Sequence, residues 1–143
     1  MINGEIIGLD YGSVRIGVAR INSVAKPSQP LEPIIANNDD TILLAVNKLI
    51  TNPDAVAIVV GLPRSLEGQD TDQTRSAQAF ARKIQTATRV PVYMIDEAGT
   101  SKVARERIGE KKNQSIDSAA AAILLEDFIN ARDTELLRVG DKQ

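Results

Sequence analysis

Residues Glu5 to Ala19, EIIGLDYGSVRIGVA, constrain the fold more strongly than any other part of this chain. A short apolar run ends in a single acid, Asp10, a turn containing Gly12 follows, and a second apolar run carries Gly17. This pattern predicts a β-hairpin whose first strand places one carboxylate at the end of a sheet, where small neighbours let a backbone or a phosphate come close. Such a carboxylate can bind a cation or help to activate a hydroxyl or water. Asp10 is as compatible with a plain turn residue, because Asp close to Gly is common turn chemistry.

The composition is that of a single globular domain. The chain has 143 residues, of which 43% are hydrophobic and 25% charged, a balance typical of soluble proteins. Its longest apolar runs, such as Ala55 to Val60, are too short to span a bilayer, and the start MINGE does not resemble a signal peptide. Because the chain has no cysteine, nothing indicates disulfides or secretion. We therefore expect a cytoplasmic protein.

Histidine is absent, and its absence restricts the chemistry further. A Ser-His-Asp triad, a histidine general base and a His-ligated zinc are all excluded. Any hydrolytic activity must rely on carboxylates, lysine, hydroxyls or a metal with oxygen ligands, which suits Mg²⁺ or Mn²⁺.

The order of predicted elements indicates an α/β domain. Strands are predicted at Ile6 to Asp10, Arg15 to Arg20, Glu32 to Ile35, Ala55 to Val60 and Val90 to Ile95, with Gly61-Leu62-Pro63 ending the fourth. Helices are predicted after the capping residues Asn37 to Asp40, after the loop Arg64 to Asp70, from Thr100 or Ser101, and over Ile116 to Ala131. We expect one domain over residues 1–131, with a mixed central sheet of about five strands flanked by helices. Residues 132–143 are expected to form a loosely held tail.

Apolar residues at helical spacing identify the buried face of each helix. The first helix carries Ile42, Val46, Leu49 and Ile50 on one stripe, and the second carries Ala77, Phe80, Ala81, Ile84 and Ala87. The last helix has an alanine-rich front, which predicts close packing against the sheet.

Three acids are notable for their positions. Asp10 ends the first strand, Glu97 follows the last strand, and Asp117 lies in the first turn of the final helix. Each of the last two is also explained by the preference for acids near helix starts. In an α/β sheet, however, strand ends and a helix start meet in one crevice, and three carboxylates gathered there repel one another unless cations neutralise them.

Four blocks of sequence, in order, resemble the YqgF family, the Holliday-junction-resolvase-like and pre-16S rRNA nuclease family. They are LDYGSVRIGVA (Leu9 to Ala19), IVVGLPRSLEGQDTDQTRSAQAFARKI (Ile58 to Ile84), Asp96-Glu97 followed by Thr100-Ser101, and IDSAAAAILLEDFI (Ile116 to Ile129). The resemblance covers nearly the whole domain and implies a ribonuclease H-like fold.

The resemblance also implies an activity and its site. Asp10, Glu97 and Asp117 would form an acidic cluster holding two Mg²⁺ or Mn²⁺ ions about 3.5–4 Å apart. One ion would activate a water and the other would stabilise the leaving 3′ oxygen. Asp96 is expected to be a neighbour and not a ligand, because adjacent strand residues face opposite ways. The implied reaction is phosphodiester cleavage in RNA, in maturation of the 16S rRNA 5′ end.

Several polar and basic residues are candidates for contacts with the nucleic acid. They are Ser13, Arg64, Arg75, Lys102, Arg105, Lys111 and Lys112. The basic residues among them are as compatible with solvated helix faces, since surface charges often contribute nothing specific. With two Tyr, two Phe and no Trp, the chain offers no stacking platform, so we expect recognition of shape and backbone charge.

The chain departs from the family pattern after the third block. Members commonly have an arginine and then a leucine or similar residue after the Asp-Glu pair, where this chain has Ala98 and Gly99. The segment between Glu97 and Asp117 is also shorter than usual. The three acids remain, so the departure concerns substrate positioning and rate.

Three other functions are compatible with parts of this pattern. Actin-like ATPases and sugar kinases share an acid-x-Gly hairpin, but they close two domains around a nucleotide, and 143 residues cannot supply both. A weakly active nucleic-acid-binding regulator would keep the fold and lose turnover. A resolvase of branched DNA would use the same acids but need a symmetric dimer, whereas the expected state for RNA cleavage is a monomer or weak homodimer.

Overall fold

The computed structural model describes residues 4–12, 14–22, 28–63, 67–96, 116–130 and 137–138, with backbone only for residues 116, 117, 130, 137 and 138. Its strands are β1 (Glu5–Asp10), β2 (Arg15–Asn22), β3 (Gln29–Ile35), β4 (Ala55–Leu62), β5 (Val92–Asp96) and β6 (Leu137–Arg138). Its helices are α1 (Asp39–Leu49), α2 (Asp72–Ala87) and α3 (Ile116–Asn130). No helix within these ranges is long and apolar enough to cross a bilayer.

The strands form one mixed sheet in the order β3-β2-β1-β4-β5-β6. The predicted hairpin is confirmed, with β1 and β2 antiparallel from Glu5 opposite Asn22 to Asp10 opposite Gly17. β1, β4 and β5 run parallel to one another. The two residues of β6 lie in the segment expected to be a loose tail and pair with β5; the rest of that segment lies outside the described residues.

Two cores lie on opposite faces of the sheet. Side chains of β1 alternate between them, so that Ile7 and Leu9 belong to one core and Ile6 to the other. The first core is completed by α1 and α2, through residues such as Val46 and Ile84. The second is completed by α3. The sheet is therefore covered on both faces, as its apolar central strand β4 predicts.

The helix starts follow from local capping. Asn38 is the N-cap of α1, and its side chain accepts the N–H of Thr41 at 2.9 Å. Thr71 caps α2, where it forms a reciprocal capping box with Thr74. Both helices therefore begin where short polar side chains satisfy backbone donors that the helix leaves unpaired.

Two local predictions are wrong. Gly61 and Leu62 do not end β4 but continue it, because they pair with Ile95 and Asp96 of β5, and the strand stops only at Pro63. Ala87 does not belong to the buried stripe of α2; it is the exposed last residue of that helix. The predicted short helix at Thr100 or Ser101 lies outside the described residues.

Candidate functional site

Asp10 is the last residue of β1, and its side chain is half-buried. Gly12 lies close to the backbone of Arg15, since a Cβ on Gly12 would meet the carbonyl oxygen of Arg15 at 2.5 Å. The far side of the hairpin is held to the end of β3 by a hydrogen bond from the N–H of Ala36 to the carbonyl of Val14, at 2.9 Å. Asp10 therefore lies at the end of a strand whose hairpin is hydrogen-bonded to the end of β3.

The carboxyl ends of three parallel strands lie at the same edge as Asp10. Leu9 pairs with Val60 of β4, and Leu62 pairs with Asp96, the last residue of β5. The carboxyl edge of a parallel sheet is where α/β proteins bind ligands. The backbone position that leads into Glu97 therefore lies two strands from Asp10.

Asp10 and Asp96 lie on opposite faces of this edge. Asp10 shares a face with Ile6, which packs in the core that α3 covers. Asp96 shares a face with Met94, which packs in the core of α1 and α2, whereas Ile95 packs on the α3 side. The expectation that Asp96 is a neighbour and not a ligand is consistent with this alternation.

The start of α3 lies against the hairpin at the height of Asp10. The Oγ of Ser118 accepts the backbone N–H of Val18 at 3.1 Å, and Val18 is the cross-strand partner of Leu9. Asp117 is the second residue of α3 and immediately precedes Ser118. The start of α3, which includes Asp117, therefore lies against the same hairpin that carries Asp10.

Close packing of α3 on β1 makes this approach possible. A Cβ on Gly8 would meet Leu125 Cγ at 2.7 Å and the carbonyl oxygen of Ala121 at 3.0 Å. The residues of α3 nearest the site, Ala119 to Ala122, are all buried. The prediction that the alanine-rich front of this helix packs closely against the sheet is confirmed.

A hydroxyl network fixes the start of α2 to the end of β4. Thr74 is fully buried, and its Oγ1 accepts the N–H of Thr71 at 2.9 Å and donates to the carbonyl of Pro63. The loop between them contains Gly68, whose φ of 79° is the left-handed conformation that glycine adopts without strain. The ends of the polar loop are therefore anchored at the carboxyl edge of the sheet.

The structure describes only part of the predicted site. Ser118, the residue after Asp117, contacts Val18, which follows the cross-strand partner of Asp10. Arg75 lies on α2, exposed and ion-paired with Asp72 at 2.5 Å. The side chain of Asp117 lies outside the described residues, as do Glu97, Ser13, Arg64, Lys102, Arg105, Lys111 and Lys112. Within the described ranges, no group of three acids that could hold a metal is formed.

Sequence reasoning missed two buried hydroxyls, Ser118 and Thr74. Ser118 is the polar residue between Asp117 and a run of alanines and leucines. A polar residue beside such an apolar run is the signal by which this buried hydroxyl could have been predicted. Thr74 follows Thr71 at the spacing of a capping box, which could also be read from the sequence.

Comparison with known proteins identifies similar sequences and folds. A protein of Koribacter versatilis named "Putative pre-16S rRNA nuclease" is 32% identical over 137 residues, covering 92% of this chain and 90% of that protein. A protein of Alcanivorax borkumensis with the same name is 36% identical over 124 residues, covering 86% and 93%. Among solved structures, T. thermophilus RuvC in complex with a Holliday junction substrate superposes with a TM-score of 0.62 at 15% identity, covering 95% of this chain and 99% of RuvC.

The likeness to RuvC confirms the expected ribonuclease H-like fold. The sequence profile of the family described as RuvX, Holliday junction resolvase, matches residues 4–131. That match includes the hairpin with Asp10, the loop after β4 and all of α3. The chain therefore belongs to the RuvX family, in agreement with the resemblance noted in its sequence.

Proposed function

We propose that this chain is a metal-dependent nuclease that hydrolyses phosphodiester bonds in RNA, acting in maturation of the 16S rRNA 5′ end. The observation that carries the proposal is the hydrogen bond from the N–H of Val18 to Ser118, which joins the start of α3 to the hairpin one residue from the cross-strand partner of Asp10. The family match and the names of the relatives support the same class of hydrolase. Asp10, Glu97 and Asp117 are its proposed acidic cluster.

Membership of Glu97 in this cluster is proposed from its place in the chain. β5 ends at Asp96, at the same edge of the sheet as Asp10, and Glu97 is the next residue in the sequence. Glu97 itself lies outside the described residues.

The donor set fits a divalent cation bound through oxygen. Asp10 is a half-buried carboxylate at a strand end, and the chain has neither histidine nor cysteine to offer a softer ligand. Mg²⁺ and Mn²⁺ prefer such oxygen ligands, and we propose Asp10, Glu97 and Asp117 as those ligands. A bound ion would supply a water of lowered pKa and offset charge on the reacting phosphate.

RNA is the proposed substrate because the relatives that match over nearly their full length are named for pre-16S rRNA. That substrate places the reaction in the cytoplasm, and we propose a monomer or weak homodimer. Basic side chains at positions 64, 75, 102, 105, 111 and 112, with Ser13, are the proposed phosphate contacts. The scarcity of aromatic residues favours recognition of backbone charge over base stacking.

Branched DNA is the second candidate substrate. The family description names Holliday junction resolvase, and a similar fold is seen bound to such a junction. Cleavage of paired strands in a junction needs a symmetric dimer, so this candidate also predicts a dimer in solution.

The proposal is tested by comparing wild type with Asp10→Asn, Glu97→Gln and Asp117→Asn on structured RNA and on a four-way DNA junction. Asp96→Asn is the matched control, since it removes the adjacent charge from the opposite face. We expect Mn²⁺-dependent RNA cleavage by wild type and by the control, and a loss of about 100-fold or more in each of the other three variants.

Other results would revise the proposal in defined ways. Equal cleavage by wild type and all three acid variants, or cleavage that survives EDTA, would refute the site and its metal. Cleavage of the junction without cleavage of RNA would reassign the substrate to branched DNA.

A further inference from the structure

Ser118 is a buried hydroxyl whose hydrogen bond joins the start of α3 to β2. Its relative exposure is 0%, and its Oγ accepts the backbone N–H of Val18 across a separation of 100 residues. A backbone N–H at that depth needs an acceptor, because leaving it unmet costs free energy. Ser118 therefore provides a hydrogen-bond acceptor that alanine lacks, in contrast to the four alanines that follow it directly.

The hydrogen bond lies at the height of Asp10 in the sheet. Val18 is paired with Leu9, and the residue before it, Gly17, is paired with Asp10. On the other side of the bond, Ser118 follows Asp117. This hydrogen bond thus links the hairpin to the helix one residue from the cross-strand partner of Asp10 and one residue from Asp117.

Among the described residues, the alanines that follow Ser118 define the axial position of α3 less sharply. Ala119 to Ala122 present only methyl groups, whose packing is non-directional. A hydrogen bond weakens steeply with distance and angle, so it selects one position of the helix along the strand. The pairing of β2 with β3 also changes register between Ile16 and Val18, so the contact with Ser118 lies where the pairing of the sheet is irregular.

We propose that Ser118 is a positioning residue that sets the separation between the acids at positions 10 and 117, and thereby the affinity of the site for a divalent cation. This inference deepens the proposed function and rests on it. Ser118 acts through the backbone of Asp117 and not as a ligand. Residues that orient metal ligands typically change affinity or activity by roughly 10–100-fold.

The test uses the full chain with Mn²⁺ alone as the probe, followed by RNA cleavage. Mn²⁺ binding is measured by calorimetry for wild type, Ser118→Ala and Ser118→Cys, with Ile84→Val as a control that loosens the opposite core. We expect affinity to fall in the order wild type, Cys, Ala, with roughly a tenfold or greater loss for Ala. We also expect kcat to fall while KM for RNA stays unchanged, and the control to bind Mn²⁺ as wild type does.

Equal Mn²⁺ affinity and kcat in wild type and Ser118→Ala would overturn the inference. If the alanine variant does not fold, the decision falls to Ser118→Cys, which keeps a weaker acceptor of nearly the same size. Wild-type Mn²⁺ binding in that variant, together with faster exchange of the Val18 amide, would overturn it as well. The proposed function and the positioning role can fail separately. If Mn²⁺ binding depends on Ser118 but neither RNA nor junction DNA is cleaved, the nuclease function is refuted and the positioning role is supported.

Discussion

Beside Asp10, the two faces of the β1–β2 hairpin carry side chains of different size. Towards α1 and α2, β1 presents Leu9 opposite Val18 of β2, with large partners such as Ile84 from the helices. Towards α3, the adjacent pair on the same two strands is Gly8 opposite Ala19. Next to Asp10 on the hairpin, small residues therefore line the face that packs against α3.

The difference in side-chain size explains how α3 can approach the hairpin so closely. Large side chains fill space and hold a helix at a distance set by their volume, whereas small ones let helix and strand backbones come together. On the α3 side that close approach lets a short serine side chain reach a backbone N–H of β2. The α1 and α2 side contains most of the bulk of the core, whereas on the α3 side the backbones of helix and strand lie close together.

The largest effect is expected from a cavity on the α1 and α2 side. Ile84 is fully buried there, and Ile84→Ala should lower the free energy of unfolding by about 2–5 kcal/mol. Because α2 packs on the face opposite Asp10, cleavage per folded molecule should stay near wild type. Chemical denaturation with a parallel cleavage assay checks both expectations, and a lost Mn²⁺ response in the folded variant would contradict the division of roles.

Compared with Ile84→Ala, the variant Gly8→Ala is expected to lose less stability and more activity. The new Cβ would meet Leu125 Cγ at 2.7 Å and the carbonyl oxygen of Ala121 at 3.0 Å, so α3 must move away from β1. Overpacking should cost about 1–3 kcal/mol, offset in part by the roughly 0.5–1 kcal/mol that alanine recovers from glycine in a strand. The melting temperature and the Mn²⁺ dependence of cleavage are the measurements, with Ile84→Val as the control. Wild-type cleavage by folded Gly8→Ala would show that close approach of α3 is not needed.

The smallest effect is expected at the surface between α1 and α2. Lys83 donates to Asp39 at 2.6 Å, and this hydrogen bond raises the pKa of Lys83 above its ordinary value. A raised pKa in the folded state means that the pair contributes at neutral pH and is lost as pH rises through the folded pKa. Lys83→Met should therefore lower the melting temperature slightly at neutral pH and low salt, and no longer differ from wild type at strongly alkaline pH or in 1 M salt. A large loss of stability that persists in high salt would point to packing of the lysine stem instead.

Local patterns were sufficient to predict most elements and their buried faces. The hairpin, the N-cap region of α1 and the stripe of α2 from Ala77 to Ile84 follow from alternation, capping and helical spacing. The end of β4 did not, because Gly61 and Leu62 are held in the strand by pairing with β5, a partner some thirty residues away along the chain. Pairing with a neighbouring strand overrides the turn preference of Gly61, and that partner strand cannot be identified from the local sequence.

The composition alone predicts that any metal site in this chain relies on oxygen donors, since the chain has neither histidine nor cysteine. The sequence also determined which acid ends the first strand, because a run of apolar residues stops at Asp10. That the start of α3 lies against the hairpin carrying Asp10 follows from the packing and not from the sequence. The reason is that proximity between residues 100 positions apart comes from packing, here the contact of α3 with Gly8 and the bond from Val18 to Ser118, and neither leaves a periodic signal in the chain.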